Sequence, residues 1–88
     1  EALSLKEQGR ELFKKSRFEE AISKFRASIK ANPADADTHK LLGACLANTG
    51  EMDEAAGEHK AYLSMSGPND PNYARIKTFV DSYEKSKR

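Results

Sequence analysis

The sequence has little of three things that large classes of protein require: cysteine, long apolar runs and net charge. Its one cysteine, Cys45, permits no disulfide within the chain, which suits a reducing compartment and predicts a cytoplasmic location. No apolar run exceeds a few residues, so we expect no segment that inserts into a membrane. Fifteen basic and fourteen acidic residues leave a net charge of +1, so no overall field favours nucleic acid as a partner.

Groups for catalysis and metal binding are also scarce. The chain has two histidines and no convincing nucleophile–base pair, so we predict that it is not an enzyme. The spacing of His39, His59 and Cys45 matches no standard zinc site, and we expect neither metal nor another cofactor. Both histidines are interpreted as packing residues with one ring nitrogen satisfied, so that replacing both with Phe would stabilise the fold. The alternatives are a metal site and a pair that repels when both rings are charged.

What the sequence does have is an internal repeat. At an offset of 34 residues Gly9 aligns with Gly43, and Ala21 aligns with Ala55. Six identical pairs and several conservative ones follow the same register, and a partial third copy begins near Tyr73. Self-similarity at a fixed period of this length is typical of helical repeat arrays. The chain of 88 residues is therefore predicted to be one domain built from stacked units.

Apolar residues with helical spacing divide the chain into five predicted helices. They cover residues 2–15, 16–31, 36–48, 52–65 and 72–85.

Residues typical of helix ends support these boundaries. Ser16 with Glu19 three residues later suggests a capping box that starts the second helix. Pro33 disfavours a helical Asn32 and ends that helix, and Asp35 is placed to cap the third. Gly50 is expected to terminate the third helix in the left-handed conformation.

Small residues at matching positions predict how the helices pack. Gly9 faces Ala21 across the first hairpin, and Gly43 faces Ala55 across the second, which lets the helix backbones approach closely. A leucine at Gly43 is expected to cost about 1–3 kcal/mol through overpacking.

These positions resemble the tetratricopeptide repeat family. The residues that carry the resemblance are Leu5, Gln8-Gly9, Leu12, Ala21, Phe25, Ser28 and Pro33, then His39, Leu42-Gly43, Leu46, Ala55, His59, Tyr62 and Gly67. The resemblance implies an all-α, right-handed α-solenoid of antiparallel helix pairs with five helices. It also implies one domain over residues 1–88, with repeats at 2–35 and 36–69 and a capping helix at 70–86.

The family's fold implies where a partner would bind. The first helix of each repeat lines a concave groove, and the second forms the convex back. The groove residues expected here are Lys6, Arg10, Phe13, Lys40, Leu41, Asn48, Arg75 and Thr78. Because four of them are cations, with Asp37 and Asp81 as the main counterweights, the resemblance implies a protein–protein interaction module that binds a peptide of acidic or C-terminal carboxylate character. The alternative is that these cations have no binding role and only keep an exposed helix face solvated.

One branch of the family clamps the C-terminal carboxylate of cytosolic heat-shock chaperones. Of its five clamp positions, Lys6 and Arg75 match. Arg10 and Leu41 stand where the two amides should be, and Pro71 stands where the last lysine should be. Loss of both amides argues against a chaperone clamp and leaves a looser adaptor groove.

Self-assembly is the alternative function. Two repeats are few for this architecture, so the terminal helix is expected either to seal the end or to dock on a second copy or on further repeats of a longer protein. Exposed Phe79 and Tyr83 would mark such a scaffold or homo-oligomer joint. With Tyr73 they have helical spacing, so we interpret them as a docking face and predict no nucleic-acid role.

Overall fold

A computed structural model describes residues 4–87, and within that range it contains five α-helices and no strand. The helices are α1 (Leu5–Lys14), α2 (Phe18–Ala31), α3 (Ala36–Asn48), α4 (Met52–Ser66) and α5 (Tyr73–Ser86). Each helix packs against the next one along the chain, and α1 also contacts α3. The prediction of an all-α solenoid of five helices is confirmed. The predicted helical residues 2 and 3 lie outside the described range.

The start of α1 carries a capping box that the sequence interpretation missed. The Ser4 hydroxyl accepts from the backbone N–H of Glu7, and the Glu7 carboxylate accepts from the backbone N–H of Ser4. Two backbone donors at the helix start are thereby satisfied. The helix consequently begins at Leu5, later than expected.

The capping box predicted at Ser16 and Glu19 is wrong. Helix α2 begins at Phe18, and Arg17 caps it without a side-chain hydrogen bond. Ser16 instead has a φ of 60°, in the left-handed region, and the next N–H, that of Arg17, reaches back to the carbonyl of Leu12 at 2.9 Å. Ser16 therefore closes the end of α1 and is not free to start α2.

The other predicted helix ends are confirmed. Helix α2 stops at Ala31 with Asn32 as its cap, directly before Pro33. The Asp35 carboxylate caps α3 by accepting from the backbone N–H of Thr38 at 3.3 Å. Gly50 follows α3 with a φ of 85°, the same conformation as Ser16 one repeat earlier. Turn geometry thus repeats with the period of the sequence.

The core lies between the two hairpins. Its buried members are Ala21, Ile22, Phe25, Leu42, Cys45, Leu46 and Ala55. Cys45 is fully buried, as expected for a small apolar residue at a helix junction, and burial raises the pKa of its thiol to about 11. Such a thiol is almost entirely protonated at neutral pH and is chemically inert.

Both repeat glycines lie at tight helix crossings, as predicted. An aromatic ring fills each crossing: Phe25 lies against Gly9, and His59 lies against Gly43. Each ring stands one helical turn after the small residue of its helix, Ala21 or Ala55. The two rings occupy equivalent positions in the repeat. Within residues 4–87 no helix is long and apolar enough to cross a membrane.

Candidate functional site

The first helices of the repeats and the terminal helix together line an open depression of about 320 Å³. Phe13 comes from α1, Lys40, Leu41 and Ala44 from α3, Arg75, Ile76 and Phe79 from α5, and His59 from α4. Its floor is apolar, and its two cations stand on different helices. A volume of this size accommodates a side chain together with a short stretch of peptide.

The depression continues towards the start of the chain. A smaller hollow of about 170 Å³ is lined by Arg10, Phe13, Lys14 and Leu41. Because Phe13 and Leu41 border both hollows, the two form one groove along α1, α3 and α5. We call this surface the groove below.

The structure brings five of the eight predicted groove residues to this surface: Arg10, Phe13, Lys40, Leu41 and Arg75. The Asn48 amide donates to the carbonyl of Ala44 at 2.8 Å, and the Thr78 hydroxyl donates to the carbonyl of Ala74 at 2.9 Å. Neither Asn48 nor Thr78 is among the residues that line the groove. Their assignment to a binding site stays a prediction.

Lys6, the last of the eight predicted residues, is not among those that line the groove and is held by two carboxylates. Its Nζ lies 3.1 Å from Oδ2 of Asp35 and 3.1 Å from Oδ2 of Asp37. Partial burial would lower the pKa of Lys6, but the bonds to both aspartates outweigh it, so the pKa of Lys6 is raised.

Asp37 contacts two further cations. Its Oδ2 lies 3.6 Å from Nη1 of Arg10, and its Oδ1 lies 3.3 Å from Nζ of Lys40. Partial burial would raise the pKa of Asp37, but the bonds and charges of Lys6 and Lys40 outweigh it and hold this pKa below its ordinary value. The groove is consequently less basic at this end than its lysines and arginine imply.

The other end of the groove is different. Arg75 Nη2 donates to the neutral amide oxygen of Asn72 at 2.8 Å, and within residues 4–87 no carboxylate pairs with it. Asp81, which was expected to offset the groove cations, pairs with Lys77 at 2.8 Å instead. Asp35 offsets Lys6 in its place. The balance of charge therefore differs from the one predicted, with free positive charge at Arg75.

The two histidines have opposite environments. His39 Nδ1 lies 2.7 Å from Oε1 of Glu58, and Nε2 lies 2.9 Å from the carbonyl oxygen of Pro33. Burial would lower the pKa of His39, but the bonds to Glu58 and Pro33 outweigh it, so this pKa is raised. His39 joins the turn before α3 to helix α4.

His59 has no such partners. Its ring packs edge-on against Phe79 with 5.1 Å between centroids, and its buried Nδ1 has no hydrogen bond. Burial lowers the pKa of His59. The expectation that each histidine satisfies one ring nitrogen is exceeded at His39, which uses both, whereas the Nδ1 of His59 is unpaired. Because the pKa of His39 is raised and that of His59 is lowered, the two rings take up their protons at different pH. In the described part of the chain, no group of three or more His, Cys, Asp or Glu side chains is placed to hold a metal ion.

On α4 and α5, sequence reasoning missed three residues that line the groove: His59, Ile76 and Phe79. Phe79 lies four residues after Arg75, so both are on one helix face, and that spacing could have found it. His59 reaches the groove past Gly43, from the helix expected to form the back. Only the close crossing of α3 and α4 makes that possible.

Fold and groove together define a helical-repeat protein that presents an open groove along three alternate helices, α1, α3 and α5. The sequence profile of the tetratricopeptide repeat matches residues 6–74, and the chain belongs to this family. Its members generally are protein–protein interaction modules.

Two relatives illustrate the similarity. The chain is 29% identical over 84 residues to the "Hsp70-Hsp90 organizing protein" of Triticum aestivum, a match that covers 92% of the chain and 14% of that protein. It is 30% identical over 70 residues to "Hsp70-Hsp90 organizing protein 1" of Glycine max, covering 80% of the chain and 12% of that protein. The chain thus spans about an eighth of the length of either relative. No solved structure matches it significantly.

Proposed function

We propose that this domain binds a short extended segment of a partner protein in the groove, with an apolar side chain on its floor and a carboxylate beside Arg75. The observation that carries the proposal is the apolar floor of Phe13, Leu41 and Phe79, flanked by Lys40 and Arg75 on different helices. An apolar anchor contributes affinity by leaving water, and a flanking charge contributes orientation.

Arg75 is the preferred contact for the carboxylate. It is not engaged by a carboxylate in residues 4–87, and its guanidinium can make two parallel hydrogen bonds to a carboxylate. Lys40 is more constrained, since its Nζ pairs with Asp37 and lies 5.7 Å from the centre of the Tyr62 ring. The ligand's charge is therefore expected at the α5 end of the groove.

The named relatives make a chaperone segment a reasonable partner to test. Their names refer to the organisation of Hsp70 and Hsp90, whereas the chain corresponds to a small part of each. The absence of amides at Arg10 and Leu41 argues that any such segment is held through its apolar side chain and not by a two-amide clamp. A cytoplasmic adaptor role without catalysis or cofactor belongs to this proposal.

Self-assembly has no comparable support. Phe79 is half-buried against His59, and Tyr83 is half-buried too, so neither offers the exposed joint that this alternative requires.

A titration of the ¹⁵N-labelled domain with C-terminal peptides of Hsp70 and Hsp90, and with a panel of apolar–acidic peptides, tests the proposal. We expect amide shifts at Phe13, Leu41 and Phe79. Arg75→Gln is expected to weaken binding, and Lys77→Gln, which removes an exposed cation of the same helix outside the groove, is the matched control. Shifts confined to the outer faces of α2 and α4 would refute the assignment.

A further inference from the structure

Three cations at or beside the α1–α3 end of the groove share one internal carboxylate. We propose that Asp37 acts as a built-in competitor of acidic ligands: it holds Lys6, Arg10 and Lys40 and thereby decides which peptides the groove accepts. This inference rests on the proposed function, because it concerns the specificity of the same groove.

The geometry of Asp37 carries the first step. Its carboxylate stands in the first turn of α3 and uses both oxygens, with Oδ2 at 3.1 Å from Lys6 and 3.6 Å from Arg10, and Oδ1 at 3.3 Å from Lys40. Lys6 and Arg10 lie one turn apart on α1, so they reach the same oxygen. Asp37 thus takes the position among these three cations that a ligand carboxylate would need.

The position of these cations carries the second step. Arg10 borders the smaller hollow and Lys40 the larger one, and Phe13 and Leu41 form the floor that both hollows share. A peptide lying over that floor would pass close to Arg10 and Lys40, two of the three cations that Asp37 engages. Its own carboxylates would therefore meet the charge of Asp37 as well as those of the cations.

Charge balance carries the third step. Lys6 is also paired with Asp35, so three cations are offset by two carboxylates, and little positive charge remains at this end. Like charges brought together at an interface disfavour binding, whereas an apolar contact is unaffected by them. The groove is thus expected to prefer a ligand whose only acidic group lies at the Arg75 end. A uniformly acidic segment is expected to bind more weakly than one with a single acid at that end.

Asp37→Asn tests this directly, since it keeps the side-chain shape and removes the charge. The probes are a dye-labelled peptide of one leucine followed by aspartates, and the same peptide with asparagines in place of the aspartates. We measure fluorescence anisotropy at low ionic strength, where exposed charges are least screened. The expected result is a gain of about three- to fivefold in affinity for the acidic peptide, the upper range that exposed ion pairs support, and no change for the neutral peptide.

Three further variants make the result specific. Asp81→Asn changes the net charge equally but removes only the exposed pair with Lys77, and we expect a change within about twofold. Asp37→Glu keeps the charge and is expected to behave as wild type. Arg10→Gln is expected to weaken acidic binding more in the Asp37→Asn background than in the wild type, which a double-mutant cycle detects.

The outcomes separate the two proposals. If Asp37→Asn and Asp81→Asn raise acidic binding equally, or if Asp37→Asn leaves it unchanged while the wild type binds the neutral peptide in the groove, the role of Asp37 is refuted and the binding function stands. If neither the wild type nor Asp37→Asn binds either peptide, both proposals fail. Circular dichroism of each variant confirms that the helices are retained.

Discussion

The ring of Phe25 occupies the space that a side chain at Gly9 would need. A Cβ atom placed on Gly9 would lie 2.6 Å from Cε1 and 2.8 Å from Cδ1 of that ring. Carbon atoms pack at about 3.5–4.0 Å, so the contact is possible only without the methyl group. This single relationship fixes how closely α1 and α2 approach.

Gly9→Ala is therefore expected to destabilise the domain by about 1–3 kcal/mol, although alanine is the better helix former. Gly57 provides the matched control, since it lies in the interior of α4 with open space where a Cβ atom would stand. Gly57→Ala is expected to stabilise by about 0.5–1 kcal/mol. Urea unfolding of the three proteins measures both effects. Equal stabilisation by the two substitutions would show that Phe25 does not set the helix separation.

The same crossing in the second repeat uses His59 where the first uses Phe25. His59→Phe reproduces the Gly9–Phe25 pairing at Gly43 and removes a buried Nδ1 that has no hydrogen-bond partner. We expect a gain of about 1 kcal/mol at neutral pH.

That gain is expected to depend on pH. The pKa of folded His59 is below 6.5, so the unfolded chain takes up the proton first and the wild type loses stability as pH falls through 6.5. The phenylalanine variant has no such loss, and its advantage in urea unfolding grows from about pH 8 to about pH 5.5. A loss of stability at both values would contradict the interpretation of His59 as an unsatisfied packing residue.

His39 is expected to titrate in the opposite sense. Its folded pKa is raised above 6.5, so the stability it contributes is fully present below pH 6.5 and is lost as pH rises through the raised value. Glu58→Gln removes the charge next to Nδ1, and its cost in unfolding free energy is expected to be larger at about pH 5.5 than at about pH 8.5.

The control for this experiment is Glu54→Gln, also on α4. Glu54 pairs with Arg26 at 2.6 Å and has no histidine partner, so its cost is expected to be small and the same at both pH values. An identical pH dependence for both variants would mean that His39 is not the titrating group.

The contacts of the two histidines could not be predicted from the sequence. The period of 34 residues located every helix pair, and caps such as Asp35 could be predicted because they act on their immediate neighbours. The role of His39 depends on Glu58, 19 residues away, which only the packing of α3 on α4 brings to its ring. The unpaired Nδ1 of His59 likewise follows from its position against Gly43.

For the groove, the sequence likewise predicted which residues share a surface but not how their charges pair. Phe13, Leu41 and Arg75 line one surface, as the resemblance to the repeat family implied, and their role in binding stays a prediction. The charge balance of the groove could not be predicted from the sequence, because Lys6 and Arg10 reach across from α1 to a carboxylate of α3. Which long side chains meet across two helices depends on rotamers and helix separation, and neither is encoded in spacing along the chain.

Asp35 serves two purposes that substitution can separate. Its carboxylate caps α3 through the N–H of Thr38 and also pairs with Lys6. Asp35→Asn keeps an oxygen for the cap and loses the ion pair, so we expect a cost within about 0.5 kcal/mol. Asp35→Ala loses both and is expected to cost about 1–2 kcal/mol.

The pH dependence of the asparagine variant completes this test. Partial burial would raise the pKa of Asp35, but its bonds to Lys6 and Thr38 outweigh that effect and hold the pKa below 3.8. The charge-dependent stability is therefore present above pH 3.8 and lost as pH falls through the lower folded value. Wild type and Asp35→Asn should converge in acid, while Asp35→Ala stays less stable because the cap is missing. If asparagine costs as much as alanine at neutral pH, the ion pair with Lys6 and not the cap is what Asp35 contributes to the start of α3.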